Sequence, residues 1–201
     1  MSKFRTILMF GAPGSGKGTQ GKVIGDLPGF FHLSCGDVFR ALKHDSELGE
    51  IFLKHSRKGE LVPDEFTVQL WQEHIHRQVS AHHFHPESEI LILDGIPRNA
   101  HQAQILEDHI EVINLIYLEA MDQEQMVERL HRRALHENRL DDASETVILK
   151  RFEEYERESR PVLDFYPPEL IHRIDAGGTP IEVLARTVEG VLAAQDALVM
   201  P

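Results

Sequence analysis

Residues 5–20, RTILMFGAPGSGKGTQ, constrain the fold of this chain more than any other stretch. Arg5 to Phe10 is an apolar run of strand length, and the ten residues that follow hold four glycines, one proline and one lysine. A strand that empties into such a run predicts a phosphate-binding loop and then a helix. Glycines at 11, 14, 16 and 18 let the backbone curl round an anion, so that successive N–H groups and the next helix N-terminus aim at phosphate oxygens. Lys17 adds a positive charge at the same place. The pattern G-x-x-x-x-G-K-[ST] is met by Gly11, Gly16 and Lys17, but Gly18 follows the lysine and the hydroxyl is delayed to Thr19. The loop is therefore not of the generic nucleotide-triphosphatase type.

Bulk composition narrows the ligand. With 201 residues and 41% hydrophobic content the chain can bury one proper core. A net charge of -12, from 33 acidic and 21 basic residues, argues against sequence-independent nucleic-acid binding and against an anionic membrane surface. An anionic ligand must then be met by a local basic cluster. Thirteen histidines make the charge sensitive to pH near about 6.5. The single cysteine, Cys35, excludes an internal disulfide or a CxxC site. No apolar run approaches about 18 residues and MSKFRT is no secretory leader, so a cytoplasmic, reducing compartment is expected.

Along the chain, helix is expected at 19–27, before Pro28-Gly29, and strand at 30–33. Ser34 to Asp37 offers capping chemistry for a helix carrying Arg40, and a short helix follows at 47–58. Gly59 stops it, and Pro63 starts a long helix to about Ser80. Ile90 to Leu93, four aliphatics in a row, reads as a strand buried on both faces and ending in Asp94. Further helices are expected to about Glu107, at 122–135, from Ser144 to an interruption near Pro161, and at 181–195; strands at 112–118 and 171–175 complete the set. Five strands alternating with helices predict an α/β fold with a parallel sheet covered on both faces.

In such a sheet ligands collect beyond the carboxyl ends of the strands. Lys17 follows the first strand, Arg40 the second and Arg98 the third, while Arg129, Arg133, Arg139 and Arg151 flank one loop. Arginines focused on one edge of an acidic protein suit a polyphosphate. Arg132 and Arg157 read instead as surface ion-pair residues, and His82, His83 and His85 as a solvated turn rather than a metal site. Asp94, at the end of a strand near the glycine loop, is placed to orient Mg²⁺ through its waters.

Five segments then carry a resemblance. They are GAPGSGKGTQ, HLSCGDVFR, KGELVPDE, LDGIPRNAHQ, and NRLDD with KRFEEY, in order over nearly the whole chain. They are similar to motifs of the adenylate kinase family of nucleoside monophosphate kinases, in its short-lid form. The resemblance implies a three-layer P-loop fold in one domain, with a core of 1–33, 63–131 and 143–201, a small AMP-binding insert at 34–62 and a short lid at 132–142. It implies Mg²⁺-dependent phosphoryl transfer from ATP to AMP, giving two ADP, by a monomer with small-molecule partners and neither nucleic acid nor membrane. The loop of Gly14, Ser15, Gly16, Lys17, Gly18 and Thr19 would cradle the ATP phosphates. Arg133 would touch the ATP side, with Arg129 and the backbone of Gly177 and Gly178 beside its adenine. AMP would be held through its phosphate by Arg40, Arg98, Arg139 and Arg151. Its base would lie against Cys35, Gln102 and the backbone of Glu60, Leu61 and Val62, and Gly95 would also belong to the AMP site. Lys17, Arg98, Arg133, Arg139 and Arg151 would carry the chemistry, and Ile96-Pro97 would be a cis bond. A lid without cysteine implies no zinc.

The sequence departs from the family pattern at four places. Cys35 stands where Thr is usual, Ile96 replaces an aromatic, and Asn138 takes a position that is often Gly. Arg139 and Arg151 are one residue further apart, which either the loop at Ala143-Ser144 absorbs or Arg151 does; the intact KRFEEY favours the loop. A UMP/CMP kinase of the same fold would tend to have Ala at 35 and Asn at 102, so Gln102 and LVPDE favour AMP. A non-catalytic nucleotide-binding module would lack matching arginines, and a GTPase would carry N-K-x-D; neither condition is met.

Overall fold

The computed structural model describes residues 3–43, 45–119, 122–137, 142 and 144–199. Its strands are β1 (Phe4–Gly11), β2 (Phe30–Ser34), β3 (Ile90–Asp94), β4 (Ile110–Glu119) and β5 (Ile171–Asp175). They form one parallel sheet in the order β2-β3-β1-β4-β5. Helices α1 (Lys17–Gly25), α2 (Cys35–Arg40), α3 (Glu47–Ser56), α4 (Asp64–Ser80), α5 (Ala100–Leu106), α6 (Gln123–Glu137), α7 (Glu145–Glu154) and α8 (Pro180–Val199) connect them. This is the expected α/β P-loop architecture with a five-stranded parallel sheet.

The strand patterns explain the layers. Along β1, Leu8 and Phe10 belong to one apolar cluster and Ile7 and Met9 to another, because successive side chains leave a strand on opposite faces. Both faces are covered, so the usual polar alternation disappears, and all five residues of β3 are buried. Helices α2, α4 and α5 face the first cluster, where Trp71, Ile75 and Leu106 pack. Helices α1 and α8 face the second, with Ile24, Val183 and Val191. At about 1.5–3 kcal/mol for each fully buried aliphatic, this double burial holds the sheet together.

Local chemistry sets the element ends. Ser34 caps α2 by accepting from the Asp37 N–H at 3.3 Å, and Ser46 caps α3 by accepting from Gly49 at 3.2 Å. The loop turns into α1 two residues earlier than expected, since Gly16 at its N-cap adopts a left-handed conformation. After α7 the chain widens into a π-turn at Tyr155–Ser159 and tightens into a 3-10 turn at Arg160–Phe165. Pro161 supplies the reason: it donates no N–H, and its ring crowds the carbonyl four residues back. Helix α6 runs on to Glu137, so the first half of the expected lid at 132–142 continues this helix; the Glu128–Arg132 pair at 2.5 Å supports it one turn apart. No helix among the described residues is long and apolar enough to cross a membrane.

Candidate functional site

With β1 in the middle of the sheet, the loop after it opens onto the space above β3 and β4. There the end of β1, the turn after β3 and the helices α2, α3, α4, α5 and α7 wall a cleft of about 1080 Å³, open to solvent. A second, phosphate-loop cavity adjoins it. Lys17, Arg40, Gly95, Arg98 and Arg151 line both, so the two halves meet along a row of cations.

The loop half is lined by Gly14, Gly16, Lys17, Gly18 and Thr19, with Asp94, Arg133 and Arg151 opposite. No side chain caps α1, which leaves its first N–H groups available to an anion. Gly14 has φ 82, and a Cβ there would stand 2.8 Å from the Met126 carbonyl oxygen, so only glycine lets the loop pass over α6. Ser15 is the exception in this loop: its side chain is 1% exposed and lies beneath the turn rather than in the cleft. Asp94 is 6% exposed, and its Oδ1 has no hydrogen-bond partner among the described residues. Its Oδ2 comes within 3.2 Å of where a Gly18 Cβ would be, so a side chain at 18 would crowd it.

Beyond the cation row lies the other half, with Cys35, Glu60, Leu61, Val62, Gln102 and the aromatic ring of Phe39 on its walls. The Ile96–Pro97 bond is cis, as expected. Gly95, with φ 83, turns the chain so that the Arg98 Nε donates to the Gly95 carbonyl at 2.8 Å. The Ser159 hydroxyl donates to the Arg98 carbonyl at 2.9 Å and ties this turn to the segment after α7. Gln102 is 1% exposed and bonded at both ends of its amide. A Cβ on Gly59 would lie 3.0 Å from the Val147 carbonyl, and Lys150 pairs with Glu60 at 3.0 Å, so the turn at Gly59 and Glu60 rests against α7.

The electrostatics are those of a site built for anions. Burial is the main reason the Lys17 ammonium falls to about 8, and Arg98, Arg133 and Arg151 push the same way against Asp94. Burial also lowers the Arg98 guanidinium from its ordinary value, and it raises the Cys35 thiol to about 12, which leaves that group a neutral thiol at pH 7. Internal carboxylates partly balance the cations. Arg40 donates to Asp37 at 2.5 Å. Asp142, fully buried, takes Arg133 on one oxygen, at 2.7 Å from Nε and 2.6 Å from Nη2, and Arg151 on the other.

Most of the residues singled out in the sequence thus share one cleft. Arg129 and Gly178 are together but outside it: Arg129 donates to the carbonyls of Ala176 at 3.2 Å and Gly178 at 3.4 Å. Arg139 and Asn138 lie outside the described residues. Arg132 pairs with Glu128, and Arg157 with Glu154 and Glu158, on the surface. Three carboxylates that touch the site residues were not singled out for the site, Asp37, Asp142 and Asp64. Each sits inside a quoted motif, HLSCGDVFR, NRLDD and KGELVPDE, where an acid near an arginine or before a helix was the available signal.

Residues 9–170 match the family model of adenylate kinase. The chain is 39% identical over 165 residues to an adenylate kinase of a Cyanothece species, covering 80% of each chain. It is 34% identical over 190 residues to that of Flavobacterium psychrophilum, covering 91% of this chain and 96% of the relative. It is 33% identical over 189 residues to that of Thermus thermophilus, with 90% and 94% covered.

Proposed function

The chain belongs to the adenylate kinase family and is a nucleoside monophosphate kinase that moves a phosphoryl group between ATP and AMP, giving two ADP; we propose that the two-part cleft is where it does so. The continuous row of Lys17, Arg98 and Arg151 between the glycine loop and the apolar half carries this reading. ATP lies with its phosphates over Gly14 to Thr19 and its base toward Arg129 and Gly178. AMP lies with its phosphate on Arg40, Arg98, Arg139 and Arg151 and its base among Cys35, Gln102 and the backbone of Glu60 to Val62.

An AMP phosphate oxygen then bonds to the terminal phosphorus of ATP as the bond from that phosphorus to the bridging oxygen breaks. The electron pair leaves with ADP, and no proton need move. Such a transfer asks the protein for alignment and for positive charge round the moving group. Lys17, Arg98, Arg133 and Arg151 supply that charge from positions already facing one another, so little reorganisation is needed at the moment of transfer. The buried Asp94 carboxylate, with Oδ2 facing Gly18 and Oδ1 without a hydrogen-bond partner among the described residues, suits the water shell of a Mg²⁺ that arrives with ATP. When bound, the ion would neutralise phosphate charge, and Asp94 would orient its waters. Residues 34–62 and 132–142 serve as covers that exclude water, the competing acceptor, over a core of 1–33, 63–131 and 143–201. The single buried thiol, Cys35, suits a reducing cytoplasm.

The test is ADP formation from ATP with AMP, UMP, CMP or GMP in a coupled assay. AMP is expected to be the best acceptor, and UMP exceeding AMP overturns the assignment of the base site. Arg98→Ala is expected to lower kcat by about 100-fold or more while ATP binding holds within a few fold. Unchanged turnover would remove Arg98 from the chemistry.

A further inference from the structure

We infer that Asp64 fixes which way round the Gln102 amide faces, and thereby makes the acceptor half of the cleft read adenine rather than a 6-oxopurine. This rests on the reading that the acceptor's base lies against Gln102.

Gln102 sits in the first turn of α5 and is 1% exposed, so its amide cannot exchange partners with bulk water. Its Oε1 accepts from the Arg98 backbone N–H at 2.7 Å, and its Nε2 donates to Asp64 Oδ1 at 2.7 Å. Those two partners have fixed polarity. A backbone N–H can only donate, and an ionised carboxylate can only accept. The amide orientation is thus specified twice, by groups on different elements, and a flip would set donor against donor and acceptor against acceptor.

Asp64 is itself held for the task. Asn99 Nδ2 donates to the same Oδ1 at 2.9 Å, while His101 Nδ1 lies 2.9 Å from Oδ2. Asn99 also accepts the Gln102 backbone N–H at 2.8 Å, closing a ring between the start of α4 and the start of α5. Burial opposes ionisation of Asp64, but the hydrogen bonds from His101, Asn99 and Gln102 outweigh it and keep the carboxyl below its ordinary range, charged and accepting.

With one N–H and one lone pair committed, Gln102 has one N–H and one lone pair left for the cleft, side by side. Adenine offers an amine donor beside a ring-nitrogen acceptor, the pair that such an amide takes up bidentately. Hypoxanthine offers a 6-oxo acceptor beside an N1–H donor, the same pair reversed. Only a flipped amide would match it, and Asp64 with the Arg98 N–H forbids the flip. Asp64 touches no reacting atom; it is a positioning residue.

The experiment compares kcat/KM for AMP and for IMP, with ATP and Mg²⁺, in the unmodified protein and in Asp64→Ala, Asp64→Asn and Asp64→Ser. Asp64→Ala removes the acceptor from Nε2, and its AMP-to-IMP ratio is expected to fall about 10-fold or more, through KM for AMP, with the KM for ATP unchanged. Asp64→Asn still offers an oxygen to Nε2 and is expected to keep the ratio. Asp64→Ser keeps a polar side chain at the first position of α4 yet falls short of Gln102; it is expected to lose the ratio as alanine does, which separates orientation of the amide from polarity at that helix end. Both acceptors are measured on one sample, so the ratio does not depend on how much of a variant is folded. A wild-type ratio in Asp64→Ala or Asp64→Ser would overturn the inference while leaving the functional reading intact. No AMP turnover in the unmodified protein would overturn both.

Discussion

Replacing Asp142 by alanine tests how the cleft keeps its cations in place. The Asp142 carboxylate has no exposed surface and bridges Arg133 and Arg151, whose side chains retain 28% and 20% of their exposure. Removing one partner of a buried pair costs about 3–5 kcal/mol, because the other charge is left without compensation. Both arginine side chains stay partly exposed, so part of that penalty is recovered and about 2–3 kcal/mol remains. In a chain of this length one kcal/mol moves the melting temperature by about 2–4 °C, so Asp142→Ala should melt about 4–12 °C lower without ligand. Asp142→Asn keeps the shape and one acceptor oxygen but not the charge, and should fall between. Circular dichroism melts in low salt read this directly. Added ATP should raise the melting temperature of Asp142→Ala more than that of the unmodified protein, since phosphate then takes over the role of the missing carboxylate. A ligand-free Asp142→Ala melting within about 1 °C of the unmodified protein would refute the reasoning.

Two further outcomes follow from the loop. Gly14→Ala places a methyl group 2.8 Å from the Met126 carbonyl at a φ of 82, so it should weaken ATP binding at least about 10-fold and cost about 1–3 kcal/mol of stability, read by calorimetric titration and melting. Lys17, held at about 8 in the free protein, should be raised by bound phosphates. ATP affinity is then complete below about pH 8 and declines as pH rises above it, and binding near pH 8.5 should take up protons, measured by titration in buffers of different ionisation heat. In the ligand-free state the sign is reversed: the lowered ammonium destabilises the fold below about 8, and this penalty fades toward the ordinary value of 10.5.

Where local chemistry decides the structure, the sequence was readable. Four consecutive aliphatics before Asp94 could only be a strand with both faces covered, and GAPGSGKGTQ left few choices for the turn after β1. Pro161 likewise announced the end of regular helix, though the wider turn upstream at Tyr155–Ser159 was not foreseen because it depends on how the chain re-enters the core at Val162 and Leu163. What escaped was pairing across long separations. Asp64 meets Gln102 38 positions away, and Glu60 meets Lys150 90 positions away. Nothing in the spacing of those residues encodes the encounter, because sheet order brings them together rather than periodicity. Asp142 escaped for a different reason: an acid in a polar segment reads as surface, and the two guanidiniums closing on it make its burial tolerable.

The position of β1 has a consequence for synthesis. It is made before either neighbour, yet it is flanked by Ile90–Asp94 on one side and Ile110–Glu119 on the other. A ribosome adding about 5–20 residues per second leaves that strand with two bare edges for on the order of ten seconds. During that interval the emerging segment ILMF is an apolar ribbon open to mispairing, and the glycine turn beyond it has no scaffold. The anion grip therefore comes into being late and all at once, when the fourth strand docks, and a fragment ending before Ile110 should hold no nucleotide at all.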